Sequence, residues 1–211
     1  MAIRMHNRRA AVDWGVAARP LPGAAVSGDM QVVKAFCGGI LAAVVDGLGQ
    51  GMQAAQAART AAAILGKYAS HPVASLVKRC HGSLMMTRGA VMTLASLDLR
   101  TESASWLGVG NVEGILLRGD AAAIPGSEHL QLHGGLVGYQ LPKLTPRRVP
   151  LHAGDLLVLA TEGISGDFTG ELRRHDDEPP QQLAERVLES HFKGNDDATV
   201  LVLRYLGLPH E

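Results

Sequence analysis

Ile40-Leu41-Ala42-Ala43-Val44-Val45-Asp46-Gly47-Leu48-Gly49-Gln50-Gly51 is an apolar run that ends on a carboxylate and passes at once into a glycine-rich turn. A short apolar run bounded by turn residues predicts a strand buried on both faces. A carboxylate at the mouth of such a strand needs a cation, a hydrogen-bond network or solvent, because burying it unpartnered is costly. With glycines beside it, Asp46 is well placed to hold a metal.

Three further acidic positions recur in the same kind of place. Asp29 lies within 26–33, Glu162 follows the apolar run 155–161, and Asp196 with Asp197 opens the run 198–203. If the fold gathers these acids, two of them about 4 Å apart would repel by roughly 4 kcal/mol at an effective dielectric near 20, a conflict that divalent cations remove. All-oxygen ligation favours hard ions, Mg²⁺ or Mn²⁺. A plain tight turn over 46–51 is the competing reading. A dinucleotide loop fits poorly, since Met52 stands at the third fingerprint position and Asp46 would repel a pyrophosphate.

The chain has 211 residues, enough for one domain over 1–211 with a core of about 12–206. Lys plus Arg equals Asp plus Glu, 20 against 20, which argues against nucleic acid or an anionic membrane as partner. Cys37 and Cys80 lie in unrelated contexts and read as small apolar packers in a reducing cytoplasm. Residues 1–10 are basic but lack an apolar leader core, and no run approaches the ~20 residues that span a bilayer. A cytoplasmic monomer is expected.

Along the chain, strands are predicted over 12–18, 26–36 and 40–45, the last two as a hairpin around Gly38-Gly39. Helices follow over 52–68 and from Pro72 to about Leu84. Short apolar runs at 90–97, 103–109, 114–118 and 121–124 suggest an antiparallel meander. An irregular connection covers 129–148, and a loop covers 168–180 with the acidic run Asp176, Asp177, Glu178. A strand at 155–160, an amphipathic helix at 180–191 and a strand at 198–205 complete the pattern. Strands grouped rather than alternating with helices indicate an α+β layered fold. Met85, Met86 and Met92 read as core filler, and Gly110-Asn111 as a structural turn.

Ser27-Gly28-Asp29, Asp46-Gly47-Leu48-Gly49-Gln50-Gly51, Arg88-Gly89-Ala90, Gly108-Val109-Gly110-Asn111, Gly138-Tyr139-Gln140-Leu141-Pro142, Thr161-Glu162-Gly163-Ile164 and Asp196-Asp197-Ala198-Thr199 occur in that order. This series resembles the metal-dependent serine/threonine phosphatases of the type 2C (PPM) superfamily, in their SpoIIE-like bacterial branch. The resemblance implies a four-layer α-β-β-α sandwich with two central antiparallel sheets and the metals at one end. It implies that Asp46 bridges two Mn²⁺ or Mg²⁺ ions, with the Gly47 carbonyl and Asp29 on one and Asp196 and Glu162 on the other. Asp46, Asp29 and Asp196 are then the catalytic set, and Asp197 supports its neighbour or the loop. The implied substrates are phosphoserine or phosphothreonine on stress-signalling proteins, in particular stressosome scaffolds carrying STAS domains.

Two positions depart from the family pattern. Glu162 stands where the superfamily has Asp, and one extra methylene displaces a carboxylate by over an ångström, so a single-ion site is the alternative there. Gln50 replaces a His and cannot act as acid or base near neutral pH. Arg19 lies too far upstream of Asp29 to serve as the phosphate-binding arginine of larger members. Two competing expectations follow: a pseudophosphatase that binds phosphoproteins without turnover, and a two-metal phosphohydrolase of small molecules. Docking is expected on 134–148 and 168–180 through Arg147, Arg148, Arg173 and Arg174.

Overall fold

The run 40–45 is a strand covered on both faces, and the runs 156–160 and 198–203 repeat the pattern. A computed structural model describes residues 11–166, 168–174 and 177–208. The elements are β1 (Val12–Arg19), β2 (Asp29–Phe36), β3 (Gly39–Gly47), α1 (Met52–Lys67), α2 (Val73–Leu84), β4 (Ala90–Asp98), β5 (Ser103–Val109) and β6 (Glu113–Leu117). They continue as β7 (Ser127–His129), β8 (Leu132–His133), β9 (Arg147–Pro150), β10 (Leu156–Ala160), α3 (Thr169–Arg174), α4 (Pro180–His191) and β11 (Ala198–Tyr205).

One sheet has the order β1-β11-β10-β6-β7, and the other runs β2-β3-β4-β5-β8 with β9 also pairing with β5. Pairing among these strands is antiparallel except between β5 and β8, where Gly108 and Val109 meet Leu132 and His133 in parallel. Period-two alternation divides each central strand between two cores. Ile40, Ala42 and Val44 of β3 join Leu157 and Leu159 of β10 and Leu201 and Leu203 of β11 between the sheets, around the fully buried Trp106. Leu41, Ala43 and Val45 face α1 and α2. Val158, Ala160, Val200 and Val202 face Phe168, Leu172 and α4. Three apolar interfaces thus separate four layers, helices outside and two sheets inside.

The expected sandwich is what the chain forms, and solved structures of this fold share it. Helix α1 buries a face of small residues, Ala54, Ala55, Ala57, Ala58 and Ala61, ahead of Leu65. That smoothness lets its first turn lie against the end of β3: a Cβ built on Gly47 would sit 2.1 Å from the Ala54 carbonyl oxygen. At the edge strand β1, the Gln181 side-chain amide accepts from Val16 N–H at 3.0 Å and donates to Val16 C=O at 2.9 Å. One side chain thereby stands in for a neighbouring strand and covers part of the open edge.

Several details differ from the sequence reading. Residues 121–124 form no strand; the edge strand is the polar β7, whose Glu128 is ion-paired with Arg118 and Arg147. Part of the loop 168–180 is the short helix α3, anchored by buried Phe168 and Leu172. Cys80 packs in the helix-side core, but Cys37 is exposed in the β2–β3 turn. Met92 is core, whereas Met85 and Met86 are 62% and 96% exposed. No helix among the described residues is long and apolar enough to cross a membrane. The basic stretch 1–10, Asp176 and the Arg174 side chain lie outside the described set.

Candidate metal centre

The four acidic segments meet at one end of the sandwich. Asp29 begins β2 and Asp46 lies near the end of β3, and the antiparallel register sets them directly opposite each other. The other sheet delivers Thr161 and Glu162 just past β10, and Asp196 and Asp197 just before β11. A cleft of about 590 Å³ is lined there by Asp46, Glu162 and Asp196 with Gly49, Arg88 and Asn111 among its other walls. Asp29 lies behind this surface, only 6% exposed.

Hydrogen bonds lock the two sheets together behind the cleft. Thr161 Oγ1 donates to Asp29 Oδ2 at 2.8 Å and accepts the Thr199 N–H at 2.8 Å. Asp197 accepts the N–H groups of Leu21 and Gly28 at 2.7 and 2.6 Å, so it clasps the β1–β2 loop, the supporting role expected of it. Its own N–H donates to Asp196 Oδ1 at 2.9 Å. Glycine is required at position 163, where a Cβ would fall 2.1 Å from the Asp197 carbonyl oxygen. The glycine-rich loop is tied down in turn by the Leu48 N–H, which donates to Gly89 C=O at 3.0 Å.

The donor set suits a divalent cation. Asp29 Oδ1 is buried without a hydrogen-bond partner. Burial pushes the Asp29 carboxyl up to about 7, against the lowering effect of its hydroxyl partners and with added repulsion from Asp197 and Asp196. Asp46 is pushed up to about 8, by burial first and then by the negative charges of Asp29, Asp196, Asp197 and Glu162. Bringing a cation among them satisfies the orphaned oxygen and cancels the repulsion. Among the described residues no three Asp, Glu, His or Cys side chains close onto one point as ligands. An ion here would take one or two carboxylates, backbone carbonyl and water, the partly hydrated shell that Mg²⁺ keeps.

These shifts predict how stability responds to pH. Both carboxyls hold their protons more tightly in the folded protein than at the ordinary value of 3.8. Their contribution to stability is complete below about pH 4 and is lost as pH rises through about 7 and 8. Saturating Mn²⁺ is therefore expected to raise Tm more at about pH 8.5 than at about pH 6, by at least ~2–4 °C, the effect of about 1 kcal/mol at this size. Thermal melts in chelator and in Mn²⁺ at both pH values check this; an equal gain at both would contradict it.

The expected residues fall into place unevenly. Asp46, Glu162 and Asp196 share the cleft, Asp29 stands behind them, and Gly47 ends β3 opposite Ala90. Asn111, read from sequence as turn only, donates from Nδ2 to Glu162 Oε2. The added methylene of Glu162 thus carries its carboxylate to the Gly110 turn, where Gly110 has φ of 94°. Arg19 stacks on the Phe192 ring at 5.1 Å, whereas Arg88, to which the sequence reading gave no role, lines the cleft. Gln53 Oε1 accepts the Arg88 Nε–H at 2.5 Å and orients the guanidinium. Arg147 pairs with Glu128, Arg148 bonds Ser103 and Thr101, and Arg173 bonds Gly126 C=O; none of the three lines the cleft.

Comparison with known proteins places this geometry. The family described as Stage II sporulation protein E (SpoIIE) matches residues 37–206. The phosphoserine phosphatase RsbX of Bacillus subtilis (strain 168) is 31% identical over 94 residues, 44% of this chain and 47% of that protein, so the match spans about half of the curated relative. A structure from work on the bacterial stressosome, a modular system adapted to control secondary messenger signalling, superposes with TM-score 0.84 at 29% identity over 92% of this chain and 99% of the other. The crystal structure of RsbX in complex with magnesium gives a TM-score of 0.81 at 21% identity over 97% of this chain and 99% of the other, a likeness of fold.

Proposed function

This chain belongs to the SpoIIE family, and from that premise we propose that it is a metal-dependent phosphoprotein phosphatase acting on phosphoserine or phosphothreonine. Its partners are cytoplasmic stress-signalling proteins, in particular stressosome scaffolds carrying STAS domains, and about residues 12–206 form the catalytic domain. The observation that carries this reading is that Asp46 lines one cleft with Asp196 and Glu162, with Asp29 directly opposite it in the strand register and buried just behind. Support for the partners comes from the similarity to RsbX and to the stressosome structure.

In this reading Asp46, Asp29 and the Gly47 carbonyl would hold one ion, and Asp196 with Glu162 would hold a second, water filling the rest of each shell. Two Mn²⁺ or Mg²⁺ ions would supply, when bound, a water of lowered pKa and positive charge against the phosphoryl oxygens. The protein groups do the positioning. Asn111 fixes the Glu162 carboxylate, and Thr161 fixes Asp29. Arg88 presents a cation to the phosphoryl group at an otherwise acidic wall. Gln50 lines the same cleft as a hydrogen-bonding but non-titrating group, so it supplies no proton to the leaving alkoxide.

The test is release of inorganic phosphate from phosphoserine and phosphothreonine peptides with Mn²⁺, Mg²⁺ or chelator. Release in either metal and none in chelator is expected. Peptide binding without release in any metal would favour the pseudophosphatase reading, to which the Glu162–Asn111 pair gives its one structural motive. Faster turnover of nucleotides or sugar phosphates than of peptides would point to a small-molecule phosphohydrolase.

A further inference from the structure

Core methionines are buried, as Met92 is, but Met52, Met85 and Met86 are 64%, 62% and 96% exposed, with Leu48 at 50%. Met52 opens α1 and Met85 caps α2, so two helix ends bring this apolar surface together. Between them runs an open groove of about 350 Å³ lined by Met52, Gln53, Gln56, Met86, Thr87 and Arg88. Its walls carry no acid, and Arg88 is its one charged residue. Arg88 is also a wall of the acidic cleft, and Leu48 lies on the cleft side of the same junction.

We propose that this groove is a specificity subsite, taking a bulky apolar side chain next to the phosphoserine of the substrate protein. The inference rests on the phosphatase reading for what fills the cleft. The shared Arg88 wall then decides the rest: a chain whose phosphoryl group sits in the cleft leads its neighbouring residues across the groove. The charge pattern fits one occupant, since the cation faces the phosphate and the remaining walls are uncharged, with Met52 and Met86 offering the apolar contact beside Gln53, Gln56 and Thr87. Unbranched thioether side chains adapt to varied apolar partners, which suits recognition of more than one phosphosite. Of the docking segments expected from sequence, 134–148 reaches the cleft at Gly134, while Arg147, Arg148 and Arg173 are committed to bonds within the chain and do not line it.

The test uses the double variant Met52→Ser, Met86→Ser, both exposed and neither lining the catalytic cleft. With Mn²⁺ present, kcat/KM for a phosphoserine peptide carrying leucine beside the phosphoserine is expected to fall about tenfold, mainly through KM, while hydrolysis of para-nitrophenyl phosphate stays unchanged. Replacing that leucine by serine should cost the native protein about as much and the variant almost nothing, the coupling expected of groups in contact. Fluorescence anisotropy of the labelled peptide reads the same coupling without turnover. If the native protein binds the peptide in this leucine-dependent way but releases no phosphate, the subsite stands and the phosphatase reading falls. Unchanged KM and binding in the variant would overturn the subsite, as would a change only in self-association by light scattering, which would assign the patch to a second copy of the chain.

Discussion

Asp46→Asn is expected to lower Mn²⁺-dependent phosphate release by at least about a hundredfold, roughly 2.7 kcal/mol of transition-state stabilisation, with the fold intact. Asparagine keeps the shape of the side chain but removes the charge that would hold the proposed ion. The same substitution should raise the Tm of the chelator-treated protein at about pH 8 or above. Burial and four nearby carboxylates push Asp46 up to about 8, so above that pH the metal-free fold carries an unfavourable charge that asparagine lacks. Turnover and thermal melts on the same preparation check both signs. Retained turnover would contradict the site, and a fall in Tm would show that the loss comes from damage to the fold.

Gly47→Ala should destabilise the fold that Asp46→Asn leaves intact. A Cβ there would meet the Ala54 carbonyl oxygen at 2.1 Å, its carbon at 2.7 Å and Cα at 3.0 Å, all backbone of α1. No side chain can swing aside, so the helix must move off the sheet. Overpacking of this kind costs about 1–3 kcal/mol, a Tm drop of roughly 2–12 °C at this chain length, and peptide turnover should fall with the displaced loop. Gly66→Ala, in the same helix, is the control. Nothing lies within 4 Å of a Cβ at Gly66, so alanine should be neutral or stabilising by up to about 1 kcal/mol. Melts of the two variants side by side test the close approach; equal stabilities would remove it.

The sequence disclosed most where burial is strongest. Strands covered on both faces leave unbroken apolar runs, so β3, β10 and β11 were legible, and α4 and β11 match their predicted spans residue for residue. Reading failed at the periphery. Strand β7 is polar because it is held by backbone pairing with β6 and by ion pairs of Glu128, neither of which leaves a hydropathy pattern. Helix α3 is six residues long, and its only signal was the Phe168 and Leu172 pair one turn apart. The exposed Met85 and Met86 read as core because hydropathy alone cannot tell an exposed apolar side chain from a buried one.

The site divides along the same line. Asp29, Asp46, Glu162 and Asp196 stood out because a carboxylate within or at either end of an apolar run conflicts with its surroundings. Asn111 and Arg88 carry no such conflict: a lone amide in a glycine turn and a lone arginine before a strand are ordinary surface chemistry. Only the strand pairing that sets β4 and β5 side by side, and the loop bond from Leu48 to Gly89, turns them toward the acids. Their roles come from placement and leave no trace in residue type.

Strand β11 occupies the slot between β1 and β10, and Asp196 and Asp197 precede it directly. Until residues 196–205 are made, β1 has α4 beside it but no strand partner, the β1–β2 loop has no clasp, and Thr161 has no Thr199 N–H to orient it toward Asp29. The pairing that joins the two ends of the described chain is the most distant in sequence, and such pairings form slowly. The clasp on the β1–β2 loop and the Thr199 contact behind Asp29 therefore form only with the pairing of β11, so the acidic cluster cannot take its folded arrangement before that pairing.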